Sequence, residues 1–143
     1  MSTTPASGSG QGLAERMGVR SGMLVMEIGF DDDVDTALRE ALQEQTGESL
    51  VDEESDEVVD VVLCWYREGD GDLVDILVDC VGPLADEGVI WLLTPKRGHG
   101  GSVDASDISE AASVAGLSET SIIMVSSEWS GVRLVGRKSG GKR

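Results

Sequence analysis

The chain has 143 residues, of which 40% are apolar and 27% charged, and its formal net charge is −16. That length suits one domain around a single sizeable core, and so acidic a body is repelled by a phosphate backbone, so direct nucleic-acid binding by the folded domain is excluded as an expectation. The net figure understates the acidity, because Arg137, Lys138, Lys142 and Arg143 lie beyond the last apolar run and the rest, without those four, carries −20. No segment has the length and apolarity of a membrane span, and the start lacks the pattern of a secretory signal, so a cytoplasmic protein with no membrane contact is expected.

Residues 1–12 are mostly Ser, Thr, Gly and Pro and predict a disordered leader. Leu13 to Gly18 reads as a short helix ended by its glycine, and Arg20-Ser21-Gly22 turns the chain into the run Met23 to Gly29. Apart from Glu27 that run is apolar, as in a strand covered on both faces. Asp31, Asp32 and Asp33 follow, and then Val34, Ala37, Leu38, Ala41 and Leu42 recur at helical spacing. Carboxylates at a helix start cap its free amides and complement its dipole by about 0.3–1 kcal/mol each. Three exceed what capping needs, and the surplus serves solubility or faces a cation or basic partner.

Ser49-Leu50-Val51 predicts a brief edge strand before an acidic loop. Val58 to Tyr66, dense in β-branched and aromatic residues, predicts a central strand. Past the loop Arg67 to Asp72, a helix presents Leu73, Ile76, Leu77, Cys80, Val81 and Leu84 on one face, with its last turns disturbed by Gly82 and Pro83. Asp86-Glu87-Gly88 turns into a further central strand, Val89 to Thr94, and Pro95 to Ser102 forms a glycine-rich loop. Ser106 or Asp107 caps a helix carrying Ile108, Ala111, Ala112 and Ala115, and Gly116 stops it. Ser121 to Glu128 and Val132 to Arg137 flank Trp129-Ser130-Gly131 and read as a hairpin.

Alternating strands and helices, with central strands that lack polar alternation, define an α/β fold. The expected architecture is a single Rossmann-like domain over residues 13–137, a mostly parallel sheet with a C-terminal antiparallel hairpin and helices on both faces, followed by a basic flexible tail at 138–143. In such folds the turn after the first strand is glycine-rich, so that backbone approaches the ligand closely and helix-start amides face an anion. Here Glu27 and Gly29 open that turn and Asp31, Asp32 and Asp33 fill it, with a field that repels phosphate or carboxylate.

Ligand-binding candidates are therefore Glu27 and Gly29, together with Lys96, Arg97, His99, Gly100 and Gly101, the concentrated positive charge inside the domain. Their loop follows a central strand, where ligands of open α/β sheets bind, although a wet turn has the same composition. His99 is of a type that serves as general acid or base, but no nucleophile or carboxylate stands at a recognisable spacing from it, so no catalytic residue is assigned. Trp129 and Arg133 are candidates for contact with a protein partner, because Trp and Arg dominate interface hot spots; the alternative packs Trp129 back over the sheet. Asp31, Asp32 and Asp33 can meet a basic partner. Cys64 and Cys80, with fifteen residues between them, are either buried small hydrophobes or a redox pair. With His99 the single histidine and no paired-cysteine spacing, no metal site is expected.

Several of these pieces coincide with one family. Leu13 to Val19, the Thr94-Pro95-Lys96-Arg97-Gly98 turn, Asp104 to Ile108, Gly116-Leu117 and Glu128-Trp129-Ser130-Gly131-Val132-Arg133-Leu134-Val135 together resemble the bacterial domain of unknown function 3052, over about Leu13 to Arg137, in the acidic form of actinobacterial members. That resemblance implies the fold and transfers no reaction. The element order is also similar to the S-adenosylmethionine methyltransferase scaffold, in which Glu27-Ile28-Gly29 would begin the first cofactor motif and acids of Glu48 to Glu57 would face a ribose. The chain departs from that pattern at Asp31 and Asp33, and in the short stretch before Val58.

The expected function is a non-catalytic, cytosolic binding or regulatory module that acts through a protein partner and needs no cofactor. The alternative is a degenerate nucleotide- or S-adenosylmethionine-binding protein, enzyme or sensor, which predicts an open pocket beside Gly29. A thiol redox regulator is the second alternative, and it predicts Cys64 and Cys80 close together and accessible.

Overall fold

The computed structural model describes residues 9–136. The first eight residues of the expected leader, Arg137 and the basic tail lie outside the described residues. Helix α1 (Ser9–Arg16) is followed by β1 (Val25–Ile28), α2 (Thr36–Thr46), β2 (Val51–Asp52), β3 (Val59–Trp65), α3 (Leu73–Val81), β4 (Leu84–Pro95), α4 (Ala105–Val114), β5 (Leu117–Met124) and β6 (Trp129–Gly136). Six strands form one sheet in the order β2-β1-β3-β4-β6-β5. Strands β1 to β4 run parallel, and β6 is antiparallel to both β4 and β5.

Side chains alternate along the strands, so apolar residues line both faces of the sheet. Val25, Val61, Leu63, Trp65, Trp91 and Leu93 point to the face that α1 and α2 cover with Leu13, Met17, Leu38 and Leu42. Met26, Val62, Cys64, Ile90, Leu92 and Leu134 point to the other, under Leu73, Leu77, Cys80, Ile108 and Ala112 of α3 and α4. Both faces of the central strands are dry, which explains their unbroken apolar sequence.

Local details differ from the sequence expectation. Helix α1 begins at Ser9, inside the expected leader, since a backbone helix extends without apolar side chains to mark it. Helix α2 begins at Thr36, and its cap is Asp35, whose carboxylate accepts from Ala37 N–H at 3.1 Å, so Asp31, Asp32 and Asp33 stand ahead of the helix and do not cap it. Leu84 belongs to β4, because the helix ends before Gly82 and Pro83. The acidic Asp86-Glu87-Gly88 segment lies within β4, where the register against β3 slips between Val59↔Leu84 and Val61↔Val89. The hairpin turn is Val125 to Glu128, with Ser126 Oγ accepting from Glu128 N–H and Trp129 N–H at 3.1 Å each. Trp129 consequently starts β6 and does not sit at the tip.

From β1 the chain moves outward to β2 and then crosses to β3 on the other side of β1, so the strand order reverses between β1 and β3. In open α/β sheets the crevice at such a reversal, outside the carboxyl ends of the strands, is where ligands lodge. The link between β2 and β3, residues 53–58, contains no helix. The face of β1 next to α3 is thereby left without a covering helix.

Candidate functional site

That uncovered face is a cleft of about 680 Å³. It opens at the carboxyl ends of β1 and β3 beside Gly29, Trp65 and Asp70 and runs along α3 past Ile76 and Asp79 to Gly82 and Pro83. Met26 and Ile28 contribute from β1, while Glu53, Ser55 and Asp56 of the helix-free link make the opposite wall. The volume lies within the roughly 300–1,000 Å³ of small-molecule sites. Its apolar floor and four carboxylates, Glu53, Asp56, Asp70 and Asp79, favour a ligand that is apolar in its body and cationic or hydroxyl-bearing at its edge.

Gly29 is required where it stands. Its φ of +83° is in the left-handed region, and a Cβ there would run into the carbonyl oxygen of Trp65, because the ends of β1 and β3 approach closely at this point. The anion-binding half of the usual turn is absent for two physical reasons. Asp35 already occupies the start of α2 with its own carboxylate, and Asp31 to Asp33 add negative charge in front of it. Carboxylates rather than anion-binding groups thus surround this turn, which does not suit a phosphate, and further acids stand at the end of β2.

Arg67, which the sequence reading left unassigned in the loop after β3, organises the edge of this cleft. Its Nε and Nη2 donate to Asp33 Oδ2 and Oδ1 at 2.9 and 2.6 Å. Its Nη1 donates to Gly29 O at 3.0 Å, Asp70 Oδ2 at 3.1 Å and Trp65 O at 3.3 Å. The guanidinium also lies over the Trp129 ring, 5.4 Å from its centroid. The hydrogen-bonded Arg67 holds the Asp33 carboxyl below its ordinary range, and Asp33 in turn raises Arg67. One sequence signal marked it: Arg67 is the first charged residue after the strongest strand, at that strand's carboxyl end.

The other candidates separate. Glu27 is buried and does not line the main cleft; it accepts from Arg39 Nε and Nη2 at 2.6 and 2.9 Å and from Trp65 Nε1 at 2.9 Å. It ties α2 to the sheet and also borders a smaller hollow of about 270 Å³ with Phe30 and Arg39, and the pair raises Arg39. Lys96, Arg97, His99 and Gly100 lie on the loop after β4, as expected, but none of them lines the main cleft; Arg97 borders a separate hollow of about 240 Å³. Gly101 packs against Arg67, its carbonyl accepting from Glu68 N–H at 2.8 Å.

Trp129, offered as a partner contact, is 3% exposed. Its Nε1 donates to Asp33 O at 3.1 Å, and its ring meets that of Trp65 edge-on at 4.9 Å. The Trp-Ser-Gly signature is therefore an internal bolt between the hairpin and the β1–α2 loop. Arg133 is half-buried and donates to Thr120 Oγ1 at 2.8 Å, which reduces its availability to a partner. Asp31 and Asp32 are exposed. Cys64 and Cys80 belong to the same core cluster and are both fully buried, and the neighbouring Cys80 thiol and burial push the Cys64 thiol well up. Proximity agrees with the redox alternative; inaccessibility and the raised pKa contradict it.

The architecture is that of a Rossmann-like α/β domain with a carboxylate-walled cleft at its strand reversal. It is similar to a SAM dependent methyltransferase from Aquifex aeolicus, with TM-score 0.60 and 11% identity over 92% of this chain and 93% of that one. The pyocyanin biosynthetic protein PhzM is similar as well, with TM-score 0.68 and 12% identity over 90% of this chain and 54% of that one. The chain belongs to the family described as Protein of unknown function (DUF3052), whose pattern matches residues 14–138. The uncharacterized protein Rv2239c of Mycobacterium tuberculosis is 48% identical over 143 residues, covering 99% of this chain and 90% of the relative. Among the described residues no helix is long and apolar enough to cross a membrane, and no cluster of His, Cys, Asp and Glu is arranged for a metal.

Proposed function

We propose that this protein is a cytosolic binding module that holds a small cationic ligand of the adenosine class, such as S-adenosylmethionine, in the cleft beside Gly29, and that it acts by binding rather than by catalysis. The observation that carries the reading is the cleft itself: about 680 Å³ at the strand reversal, walled by Glu53, Asp56, Asp70 and Asp79. Opposite charge favours a sulfonium or ammonium there and disfavours a phosphate. Similarity of fold to methyltransferases supports the ligand class only by analogy.

Isothermal titration of the wild-type protein with S-adenosylmethionine, adenosine and ATP tests the proposal. The expected order of affinity is S-adenosylmethionine above adenosine above ATP, weakened at least tenfold by Asp70→Asn together with Glu53→Gln. No binding of any of the three, or preference for ATP, overturns it. A second reading keeps a protein partner: Phe30 is 54% exposed, with Arg39 over one face of its ring at 4.6 Å and the exposed Asp31 and Asp32 next to it in sequence, and those acids suit a basic protein surface. Loss of a captured basic partner on Phe30→Ser would support that reading, and unchanged capture would dismiss it.

A further inference from the structure

Arg67 is the cation closest to the cleft, yet it is spent on the protein itself. Its side chain is 14% exposed, and three of the residues it binds, Gly29, Trp65 and Asp70, line the cleft. Asp33 takes two of its donors in a fork-to-fork pair, Asp70 and two carbonyls share Nη1, and Trp129 lies against the guanidinium. Arg67, like Lys96 and Arg97, is not itself a lining residue; it stands behind Gly29, Trp65 and Asp70, which are.

We infer that Arg67 sets the charge selectivity of the site: it is an internal cation whose capture by Asp33 and Asp70 withholds it from anions, so the cleft takes cationic and neutral ligands and rejects phosphorylated ones. This rests on the proposed adenosine-class cleft for its ligand, but its own content is the masking of one guanidinium. The masking is strong on electrostatic grounds. Two carboxylates within 3.1 Å more than cancel one positive charge, so an approaching phosphate meets net negative potential at the point where an unpaired arginine would bind it in bidentate fashion. Asp33 does not line the cleft whereas Asp70 does, so Asp70 is both part of the mask and a wall carboxylate, and an added Arg67→Gln exchange separates those two roles. If both carboxylates are made neutral, Trp129 and the two carbonyls still hold the guanidinium at the rim, and it becomes a phosphate receptor.

The test compares two double variants that remove the same charge. Asp33→Asn with Asp70→Asn unmasks Arg67, whereas Asp31→Asn with Asp32→Asn changes neighbouring carboxylates that do not touch it. Each is titrated with pyrophosphate alone and with adenosine monophosphate, alongside the wild type. Unmasking is expected to create saturable pyrophosphate binding and to tighten adenosine monophosphate at least tenfold, while the control pair stays within about threefold of wild type. Adding Arg67→Gln to the unmasked variant should abolish the gain. Equal gains in both pairs would reduce the effect to bulk charge and overturn the inference, as would no gain in the unmasked pair shown to be folded by circular dichroism. Because pyrophosphate needs no adenosine subsite, failure of the wild type to bind S-adenosylmethionine would sink the proposed function without deciding this one.

Discussion

Glu27→Gln isolates the energetic role of the acid in the first turn. The amide keeps an oxygen for the Trp65 indole but loses the charge that accepts both donors of Arg39, at 2.6 and 2.9 Å. The side chains of the pair are 7% exposed for Glu27 and 28% for Arg39. Arg39 can therefore turn toward water when its partner is lost, so the cost falls below the about 3–5 kcal/mol of breaking a fully buried pair. It should exceed the about 0.2–1 kcal/mol of a surface pair. Charge-assisted hydrogen bonds of this kind contribute about 1.5–3 kcal/mol, which puts the loss near 2 kcal/mol, or about 4–8 °C in Tm for a domain of this size. Urea unfolding of Glu27→Gln, Arg39→Gln and the double variant measures it, with an expected coupling of about 1–2 kcal/mol. A single-variant cost under about 0.5 kcal/mol with no coupling would mean that the pair is ornamental and that packing of Leu38 and Leu42 alone seats α2.

Four other expectations accompany it. Gly29→Ala should destabilise by about 3 kcal/mol or more in thermal melts, since the left-handed backbone costs about 1–2 kcal/mol and the Trp65 carbonyl must also move; a cost below 1 kcal/mol would contradict the close approach of β1 and β3. Trp129→Phe keeps an edge-on ring against Trp65 but loses the bond to Asp33 O, and chemical denaturation should register about 1–2 kcal/mol. Iodoacetamide followed by mass spectrometry should label Cys64 and Cys80 only after unfolding; rapid native labelling would restore the redox reading. Arg67 depresses Asp33, so the pair stabilises the fold above the ordinary aspartate pKa and the gain is lost as pH falls through the lower folded value. As the Asp33 side chain is 54% exposed, screening keeps the effect under about 1 kcal/mol, and Asp33→Asn should flatten that part of the acid-unfolding curve.

Much of this fold was legible because its central strands are buried on both faces. Val59 to Trp65 and Val89 to Thr94 advertise that burial in composition, and helices α2 to α4 advertise theirs in periodicity. Boundaries set by single hydrogen bonds were not legible. Nothing in Asp31-Asp32-Asp33-Val34-Asp35 says which aspartate caps, because all have the same chemistry and only the backbone path places Asp35 at Ala37 N–H. Trp129 was misplaced for the same reason: the turn was read at the glycine of Ser130-Gly131, whereas Gly131 lies in β6 opposite Leu93, where a Cβ would press on that leucine at 2.9 Å. A cleft beside Gly29 follows from the alternative, cofactor-binding reading alone, and its walls depend on which segment lacks a helix. Arg67 escaped because two of its partners, Asp33 and Gly29, stand 34 and 38 residues away in sequence.

The distribution of charge around the strand reversal can be derived from what this scaffold lacks. A phosphate site in such a fold needs bare amides at the start of the first helix and a cation free to approach them. Here Asp35 covers the amides and Asp33 with Asp70 covers the cation, so both requirements are blocked by carboxylates of the chain itself. With no helix between β2 and β3, Glu53 and Asp56 stand where apolar helix residues would otherwise close the face of β1. Acids thus stand at all three places, Asp35 at the helix start, Asp33 and Asp70 on the guanidinium, and Glu53 and Asp56 along the open part of β1, and each adds negative potential at the strand reversal.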